Sequence, residues 1–143
     1  MRRKQGVLFL CTHNAARSQM AEALLRHLAG DRFEVYSAGL EPTVVHTLTR
    51  QVLAEAGIDV GGLQAKGVNE FLGKASVRYA IVVCTEAEWQ CPRLFPFAVG
   101  NMRWPFEDPM QATGTEAERL AAFRRVRDVI EARLRSWLQE HGK

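Results

Sequence analysis

The sequence predicts an α/β fold: a single domain over residues 1–143, arranged as a three-layer sandwich with a central four-stranded parallel sheet and helices on both faces. Short apolar runs alternate with stretches of helical periodicity, which is typical of a parallel sheet with crossover helices. Residues 79–83 form a continuous apolar run, as expected of a strand buried on both faces. The chain has 143 residues, 47% of them hydrophobic, and is long enough for one hydrophobic core.

Two strands and a helix are predicted at the start of the chain. Residues 7–10 are apolar and predict a short buried strand. A helical pattern begins at Ser18 and ends at Gly30, which we expect to terminate the helix. Residues 33–36 alternate in polarity and predict a second strand, and residues 37–42 predict a loop.

A second helix and a long loop are predicted in the middle of the chain. Apolar residues recur at helical spacing between Leu48 and Ala56, and Gly57 closes this helix. The glycine-rich residues 58–67 predict a loop. The apolar side chains within residues 68–72 indicate a short helical turn.

The last part of the chain contains the remaining strands and a long helix. Residues 79–83 predict the third strand, the proline-rich residues 85–110 are irregular, and a short strand is expected near residues 102–104. Thr115 and Glu118 have the spacing of a capping box and open the final helix. Its apolar face is formed by Leu120, Phe123, Val126, Ile130, Leu134, Trp137 and Leu138.

The loop after the first strand begins with a cysteine and ends with an arginine and a serine. Cys11 follows the strand, and Ser18 starts the first helix. Free N–H groups at a helix N-terminus and in the loop before it form a nest that binds anions. We therefore predict an oxyanion site formed by Thr12, His13, Asn14, Ala15, Ala16, Arg17 and Ser18.

Cys11 has the surroundings expected of a nucleophile. A helix N-terminus and a nearby cation stabilise the thiolate form of a cysteine, so we expect a thiolate at neutral pH. Arg17 can hold two oxygens of a bound anion, and the Ser18 hydroxyl can donate a hydrogen bond to the sulfur. The alternative is a buried cysteine without a chemical role. The spacing of Cys11, Arg17 and Ser18 between a strand and a helix favours the nucleophile.

Two further cysteines, Cys84 and Cys91, lie seven positions apart. This spacing is too long for a zinc motif, and on a regular helix it corresponds to roughly 10 Å of rise, too far for a disulfide. The two sulfurs can meet if the segment is not helical, and two unrelated thiols remain the alternative. Because parallel strands end at one edge of the sheet, Cys11 and Cys84 can be neighbours at one site.

Composition and charge exclude several classes of function. The net charge is +3, and the basic runs at residues 2–4 and 124–125 have no interleaved aromatic residues, so we predict no nucleic-acid binding. No apolar run has the length of a signal peptide core or a membrane span, which predicts a cytoplasmic protein without membrane contact and with reduced cysteines. We predict neither a metal nor a cofactor.

Residues 11–22, residues 37–39, the pair Cys84 and Cys91, and residues 108–109 together carry a family resemblance. The chain resembles the thioredoxin-coupled arsenate reductases, which are built on the low-molecular-weight protein tyrosine phosphatase fold. The cysteine, five residues, arginine and serine, combined with Asp-Pro, are typical of the phosphatase fold. The additional cysteine pair is typical of the reductases. The resemblance covers nearly the whole chain.

This resemblance implies a redox relay. Cys11 attacks arsenate that is held by the loop amides and Arg17, and Asp108 protonates the leaving oxygen. Cys84 then attacks Cys11 and expels arsenite. Cys91 attacks Cys84, which leaves a Cys84–Cys91 disulfide for thioredoxin to reduce. The implied partners are arsenate, with phosphate or sulfate as competing anions, and thioredoxin, and we expect a monomer.

The resemblance also implies a set of residues that support the loop. Some reductases of this family bind a potassium ion beneath the loop, with residues that match Asn14, Glu22 and Ser37 and an aspartate at the position of Lys66. We expect the ammonium of Lys66 to repel such an ion and to pair with Glu22 instead, and a solvated lysine is the alternative. The expected loop supports are Asn14, Ser18, Glu22, Ser37 and Lys66.

Two other functions remain open at this point. The first is a tyrosine phosphatase that hydrolyses phosphoesters through a phosphocysteine at Cys11. Ala16 replaces a second loop cysteine of such phosphatases, and Met110 and Gln111 replace their aromatic residues after Asp-Pro. Arsenate and phosphate are nearly isosteric, so residual phosphatase activity is compatible with a reductase. The second is a non-catalytic module that binds arsenite or a soft metal through the three cysteines.

Overall fold

The computed structural model of the chain describes residues 4–71, 76–85 and 98–141. We number the elements in chain order. The strands are β1 (Gln5–Cys11), β2 (Phe33–Gly39), β3 (Tyr79–Val82) and β4 (Gly100–Arg103), and the α-helices are α1 (Arg17–Ala29), α2 (Thr47–Glu55) and α3 (Glu116–His141). Single 3₁₀ turns span Val68–Glu70 and Pro109–Gln111.

The four strands form one parallel sheet in the order β2-β1-β3-β4. Central strand β1 pairs with β2 up to Cys11 opposite Gly39, and with β3 up to Leu10 opposite Val82. Parallel pairing brings the carboxyl ends of these strands to one edge of the sheet. The loop after β1, the end of β2 and the segment after β3 therefore meet at this edge, where ligands bind in parallel sheets.

Both faces of the central strand are covered. Residues 7–10 of β1 are fully buried although their side chains alternate between the two faces. The helices α1, α2 and α3 pack against one another, and the buried side of α3 adds Phe123 and Trp137 to the core. The prediction of a single α/β sandwich with a four-stranded parallel sheet is confirmed.

Most predicted element boundaries agree with the structure, and one is wrong. The predicted loop over residues 37–42 begins too early, because β2 continues through Gly39. The last three residues of β2, residues 37–39, pair with β1, and Gly39 also forms an isolated bridge with Gly67. A serine, an alanine and a glycine have low strand propensity, and here the pairing with β1 outweighs it. Of the turn predicted over residues 68–72, Leu72 lies outside the described residues.

The helix termini follow the local chemistry of the sequence. The capping box is confirmed: Thr115 Oγ1 accepts from the Glu118 N–H at 3.1 Å, and Glu118 Oε1 accepts from the Thr115 N–H at 3.2 Å. Gly57 ends the α2 region with a φ of 81°. Gly30 follows α1 as predicted but keeps a right-handed conformation, with φ −64°. In the part of the chain that the structure describes, no helix is long and apolar enough to cross a membrane.

Candidate active site

The backbone of the loop between β1 and α1 turns its carbonyl groups outward. Four of these carbonyls accept hydrogen bonds from amides of the segment that follows β2. The bonds run from Leu40 to Cys11, from Glu41 to Thr12, from Thr43 to His13 and from His46 to Ala15, at 2.8–3.2 Å. Among the described residues every peptide bond is trans, so the N–H of each following residue points the opposite way. The amides of Thr12, His13, Asn14 and Ala16 therefore converge inside the loop.

Two donors surround the sulfur of Cys11. The Asn14 amide donates to Cys11 Sγ at 3.1 Å, which is the inward direction expected from the carbonyl pattern. The Ser18 hydroxyl lies 2.7 Å from the same sulfur, and Cys11 is only 3% exposed. A buried sulfur at the base of an anion-binding loop, with these two groups in contact, has the position expected of a nucleophile.

The side chain of Asn14 is the centre of the support beneath the loop. Asn14 is fully buried and has a φ of 55°, a conformation that asparagine adopts more readily than most residues. Its Nδ2 donates to the hydroxyls of Ser18 at 2.8 Å and Ser37 at 2.9 Å. Its Oδ1 accepts from Gln19 Nε2 at 2.9 Å and from the Lys66 amide at 2.8 Å. One side chain thus ties the loop to α1, β2 and the segment before Gly67.

The support continues from Ser37 to two charged side chains. The Ser37 hydroxyl donates to Glu22 Oε1. Lys66 Nζ lies 3.3 Å from the same carboxylate oxygen and donates to the Gln64 carbonyl at 3.0 Å. The side chains of Glu22 and Lys66 are 7% and 18% exposed, and Arg26 contacts the second oxygen of Glu22. The structure thus brings together the predicted residues Asn14, Ser18, Glu22, Ser37 and Lys66.

Arg17 and Asp108 lie together at the mouth of the loop. Arg17 is 4% exposed, its Nη1 donates to the Phe106 carbonyl at 3.1 Å, and its Nη2 lies 3.5 Å from Asp108 Oδ2. The Asp108 side chain is 13% exposed, and its other oxygen accepts from the Met110 amide at 3.0 Å. The guanidinium is thus held in place next to a carboxyl group. A guanidinium is suited to oxyanion binding, and a carboxyl group is suited to general acid catalysis.

The second cysteine of the sequence also lies at this edge. Cys84 follows β3, is fully buried, and its sulfur is 4.0 Å from Thr12 Oγ1 in the loop. Cys84 is disulfide-bonded, whereas Cys11 has a free thiol. The predicted relay residue Cys91 lies outside the described residues. His13 is partly exposed, and its ring contacts the Glu41 carbonyl at 3.1 Å, away from the sulfur.

Sequence reasoning missed two residues of the support. Gln19 is fully buried and connects Asn14 to the Gln64 carbonyl at 2.8 Å. Its only sequence signal was a polar side chain on the otherwise apolar start of α1. The ring of His46 caps α2, and its backbone amide holds the Ala15 carbonyl. A histidine ahead of a helix is a weak cap signal, and its contact with the loop depends on the tertiary fold.

Gly39 allows the loop to pack against the end of β2, which leads to a prediction. A Cβ atom at this position would lie 2.8 Å from both the Asn14 amide nitrogen and the Thr12 carbonyl oxygen, and neither backbone atom can move freely. We expect Gly39→Ala to lower the free energy of unfolding by about 1–3 kcal/mol, the usual cost of overpacking, and to weaken phosphate binding. Urea denaturation and calorimetric titration with inorganic phosphate measure the two effects.

Gly62→Ala is the matched control, since a Cβ at Gly62 would meet no atom within 4 Å. This variant should retain wild-type stability and phosphate affinity. Equal stability and equal phosphate affinity of the two variants would show that the loop does not depend on close packing at Gly39.

The chain is similar to known proteins over nearly its whole length. Residues 6–143 match the family model for low molecular weight phosphotyrosine protein phosphatase. An arsenate reductase of Shouchella clausii is 37% identical over 137 residues, which cover 95% of this chain and 96% of that protein. The structure of an arsenate reductase in the phosphate-binding state has a TM-score of 0.75 at 26% identity and covers 95% of this chain and 98% of the other. The thioredoxin-dependent arsenate reductase of Corynebacterium glutamicum has a TM-score of 0.71 at 28% identity, covering 96% of this chain and 61% of the other.

Proposed function

Because this chain belongs to the low molecular weight phosphotyrosine protein phosphatase family and is similar to arsenate reductases over nearly its whole length, we propose that it reduces arsenate to arsenite with thioredoxin as the reductant. One observation carries the proposal beyond the shared fold. Cys84, a disulfide-bonded cysteine, lies buried beside the loop that holds the free thiol of Cys11. Phosphoester hydrolysis has no use for a second redox-active cysteine at this place.

The first step uses the loop and its mouth. Arsenate binds to the inward amides of the loop and to the guanidinium of Arg17, which separates from Asp108 to hold two of its oxygens. The Cys11 thiolate attacks arsenic, and a bond between sulfur and arsenic forms while an oxygen leaves. Asp108 acts as the general acid and donates a proton to this leaving oxygen, which departs as water. The Ser18 hydroxyl and the Asn14 amide hold the Cys11 sulfur in position before the attack.

The second step transfers the electrons. Once thioredoxin has reduced the disulfide at Cys84, the Cys84 thiolate attacks the sulfur of Cys11, a disulfide forms, and the electron pair of the bond between sulfur and arsenic passes to arsenic. Arsenic(V) is thereby reduced to arsenic(III) and leaves as arsenite, while the two thiols are oxidised. Cys91 then attacks Cys84 and releases Cys11 as a thiolate. A dithiol of thioredoxin reduces the resulting Cys84–Cys91 disulfide and completes the cycle.

The proposal extends to the competing anions, the cofactor requirement, the oligomeric state and the location of the protein. Phosphate and sulfate should compete with arsenate, because the site recognises a tetrahedral oxyanion through amides and one guanidinium. The relay needs neither a metal nor a cofactor, because every electron comes from a thiol. We propose a monomer that works in the cytoplasm, where thioredoxin keeps thiols reduced.

A weaker phosphatase activity is the second candidate function. Cys11, Arg17 and Asp108 have the arrangement that phosphoester hydrolysis needs, namely a nucleophile, an oxyanion holder and a general acid. The segment after Asp108 offers Met110 and Gln111 rather than the aromatic residues expected around a phosphotyrosine ring. We therefore propose that hydrolysis is limited to small phosphoesters and is slow.

One assay decides between these functions. Consumption of NADPH is followed in the presence of thioredoxin and thioredoxin reductase, with and without arsenate, and the release of arsenite is measured in parallel. Arsenate-dependent consumption with matching arsenite supports the reductase. Hydrolysis of para-nitrophenyl phosphate without arsenate turnover would identify a phosphatase, and tight binding of arsenite without either reaction would identify a binding module.

Lys66 is proposed to take the place of an ion beneath the loop. Its ammonium lies 3.3 Å from Glu22, and Glu22 accepts from Ser37, which is bonded to Asn14. A positive charge already fixed on this carboxylate repels a second cation, so the residues present do not fit a bound potassium ion. We expect activity to be unchanged when potassium replaces sodium at constant ionic strength. Lys66→Asp should create a potassium dependence.

Lys66→Ala should raise the KM for arsenate by about two- to fivefold, the effect of losing one partly exposed ion pair. Lys4→Ala is the matched control, since Lys4 is 43% exposed and contacts Glu34 rather than Glu22. It should leave KM unchanged. Marked stimulation of the wild-type protein by potassium, but not by sodium, would contradict the proposed role of Lys66.

A further inference from the structure

The N-terminus of α2 is capped by an imidazole. His46 is the N-cap residue, and its Nδ1 accepts a hydrogen bond from the Leu48 amide at 3.0 Å. A ring nitrogen accepts only when it carries no proton, so the neutral ring has its proton on Nε2. A protonated imidazole would present a donor to the Leu48 N–H and lose the cap. The cap at this helix therefore depends on the protonation state of one side chain.

The same turn of chain holds one end of the oxyanion loop. The Ala15 carbonyl accepts from the His46 amide at 3.0 Å and from the Thr49 hydroxyl at 3.0 Å. Both donors belong to the capped end of α2, and Thr49 is fully buried. Because the Ala15 carbonyl is held outward, the Ala16 amide points inward to the anion site. The orientation of this amide thus depends on the geometry of the α2 N-terminus.

The surroundings of His46 favour its neutral form. The ring is half-buried and lies 4.8 Å from the ring of Phe123 in α3. Partial burial lowers the pKa of His46 below its usual value of 6.5, and the positive charge of Arg119 in α3 lowers it further, while the negative charge of Asp108 opposes both. The charge of Arg119 comes from α3, and the charge of Asp108 comes from the segment before Pro109–Gln111.

We propose that neutral His46 is a positioning residue for oxyanion binding. By capping α2 it holds the Ala15–Ala16 end of the loop, so protonation of its ring weakens the binding of the anion. The inference deepens the proposed function, because the anion at this site is the arsenate to be reduced. His46 acts through Ala15 and Ala16 and does not itself reach the reacting atoms. It links the affinity of the loop to pH through a group outside the catalytic set.

The direction of the pH effect follows from the lowered pKa. A histidine whose pKa is lower in the folded than in the unfolded state binds its proton more weakly when folded. The unfolded state then takes up more protons, and the contribution of the neutral cap to stability is lost as the pH falls below 6.5. Anion affinity should decline as the ring of the folded protein takes up its proton, which occurs at a pH below 6.5, because the cap and the loop share the Ala15 carbonyl.

The test is calorimetric titration with inorganic phosphate at about pH 7.5 and at a lower pH at which nuclear magnetic resonance shows the His46 ring to be protonated, at constant ionic strength and with reduced protein. His46→Ala removes the cap, and His46→Asn supplies an acceptor that does not titrate. The exposed His27 on α1 provides the matched control His27→Asn. Protonation of phosphate itself affects all variants equally. The ratio of the phosphate affinity of each variant to that of the wild type at the same pH therefore isolates the contribution of His46.

We expect His46→Ala to weaken phosphate binding about fivefold at the higher pH, which corresponds to the loss of a typical N-cap. His46→Asn should bind like the wild type at the higher pH and more tightly than the wild type at the lower pH. His27→Asn should have the phosphate affinity of the wild type at both pH values. A His46→Ala variant with wild-type affinity, or a His46→Asn variant with the pH dependence of the wild type, overturns the inference.

Nuclear magnetic resonance of the ring nitrogens gives a second, independent readout in the wild-type protein. We expect the proton of neutral His46 on Nε2, and its presence on Nδ1 overturns the inference even if a variant unfolds. These measurements do not depend on turnover. Phosphate binding that responds to His46 in a protein without arsenate reduction would refute the proposed function and leave the role of His46 intact.

Discussion

Cys84→Ser is expected to abolish multiple-turnover arsenate reduction while leaving the hydrolysis of para-nitrophenyl phosphate largely intact. Reduction requires a thiolate that attacks the sulfur of Cys11, and a serine hydroxyl is a far weaker nucleophile toward sulfur and cannot form a disulfide. Hydrolysis requires only Cys11, Arg17 and Asp108, and none of its steps uses the Cys84 thiol. The two activities are measured on the same preparation, with thioredoxin for the first and without it for the second.

Variants of the other two cysteines complete this experiment. Cys91→Ser should also end multiple turnover, but a single turnover should leave a disulfide between Cys11 and Cys84 that mass spectrometry of peptides can identify. Cys11→Ser should abolish both activities, because it removes the nucleophile that they share. Continued reduction of arsenate by Cys84→Ser over many cycles with thioredoxin would show that the relay is wrong.

The conformation of the loop between β1 and α1, proposed as the catalytic loop, could be predicted from the sequence because the residues that determine it are close together in the chain. Cys11, Arg17 and Ser18 lie within eight consecutive residues between an apolar run and an amphipathic helix, and each has a role that follows from helix N-terminus chemistry. The capping box of α3 was predictable for the same reason. Asp108, in contrast, approaches Arg17 only through tertiary folding, and it was identified from the family resemblance rather than from its own surroundings.

The errors and omissions arise where tertiary contacts outweigh local preference. Residues 37–39 look like a loop, yet they form the end of β2 because β1 supplies their hydrogen-bonding partners. Gln19 looks like a polar residue of a helix surface, and only its burial beneath Asn14 reveals a structural role. His46 looks like a surface histidine and turns out to cap α2. The pairing of β2 with β1 and the bond from Gln19 to the Gln64 carbonyl join distant parts of the chain, whereas the cap at His46 is local and was missed because histidine is a weak cap signal.

Arg17→Lys is the second substitution with a large expected effect, although it conserves the charge. The Arg17 guanidinium donates to the Phe106 carbonyl through Nη1 while Nη2 faces Asp108, so its plane is held in one orientation at the mouth of the loop. A lysine has three donors on one nitrogen and cannot hold this carbonyl and grip two anion oxygens as a planar fork. We expect kcat/KM for arsenate to fall by about 100- to 1000-fold, the usual loss when one donor to a developing oxyanion is removed.

The matched control is Arg124→Lys, which breaks a bidentate contact with Glu55 away from the loop. Arg124 holds both oxygens of Glu55 at 2.9 and 2.7 Å on the surface between α2 and α3. Its replacement should change neither kcat/KM nor phosphate affinity, because a surface ion pair contributes at most about 1 kcal/mol to stability. Since Arg17 serves the anion in both reactions, Arg17→Lys should reduce phosphoester hydrolysis in parallel with arsenate reduction. A variant that lost only one of the two activities would mean that the two substrates do not share the guanidinium.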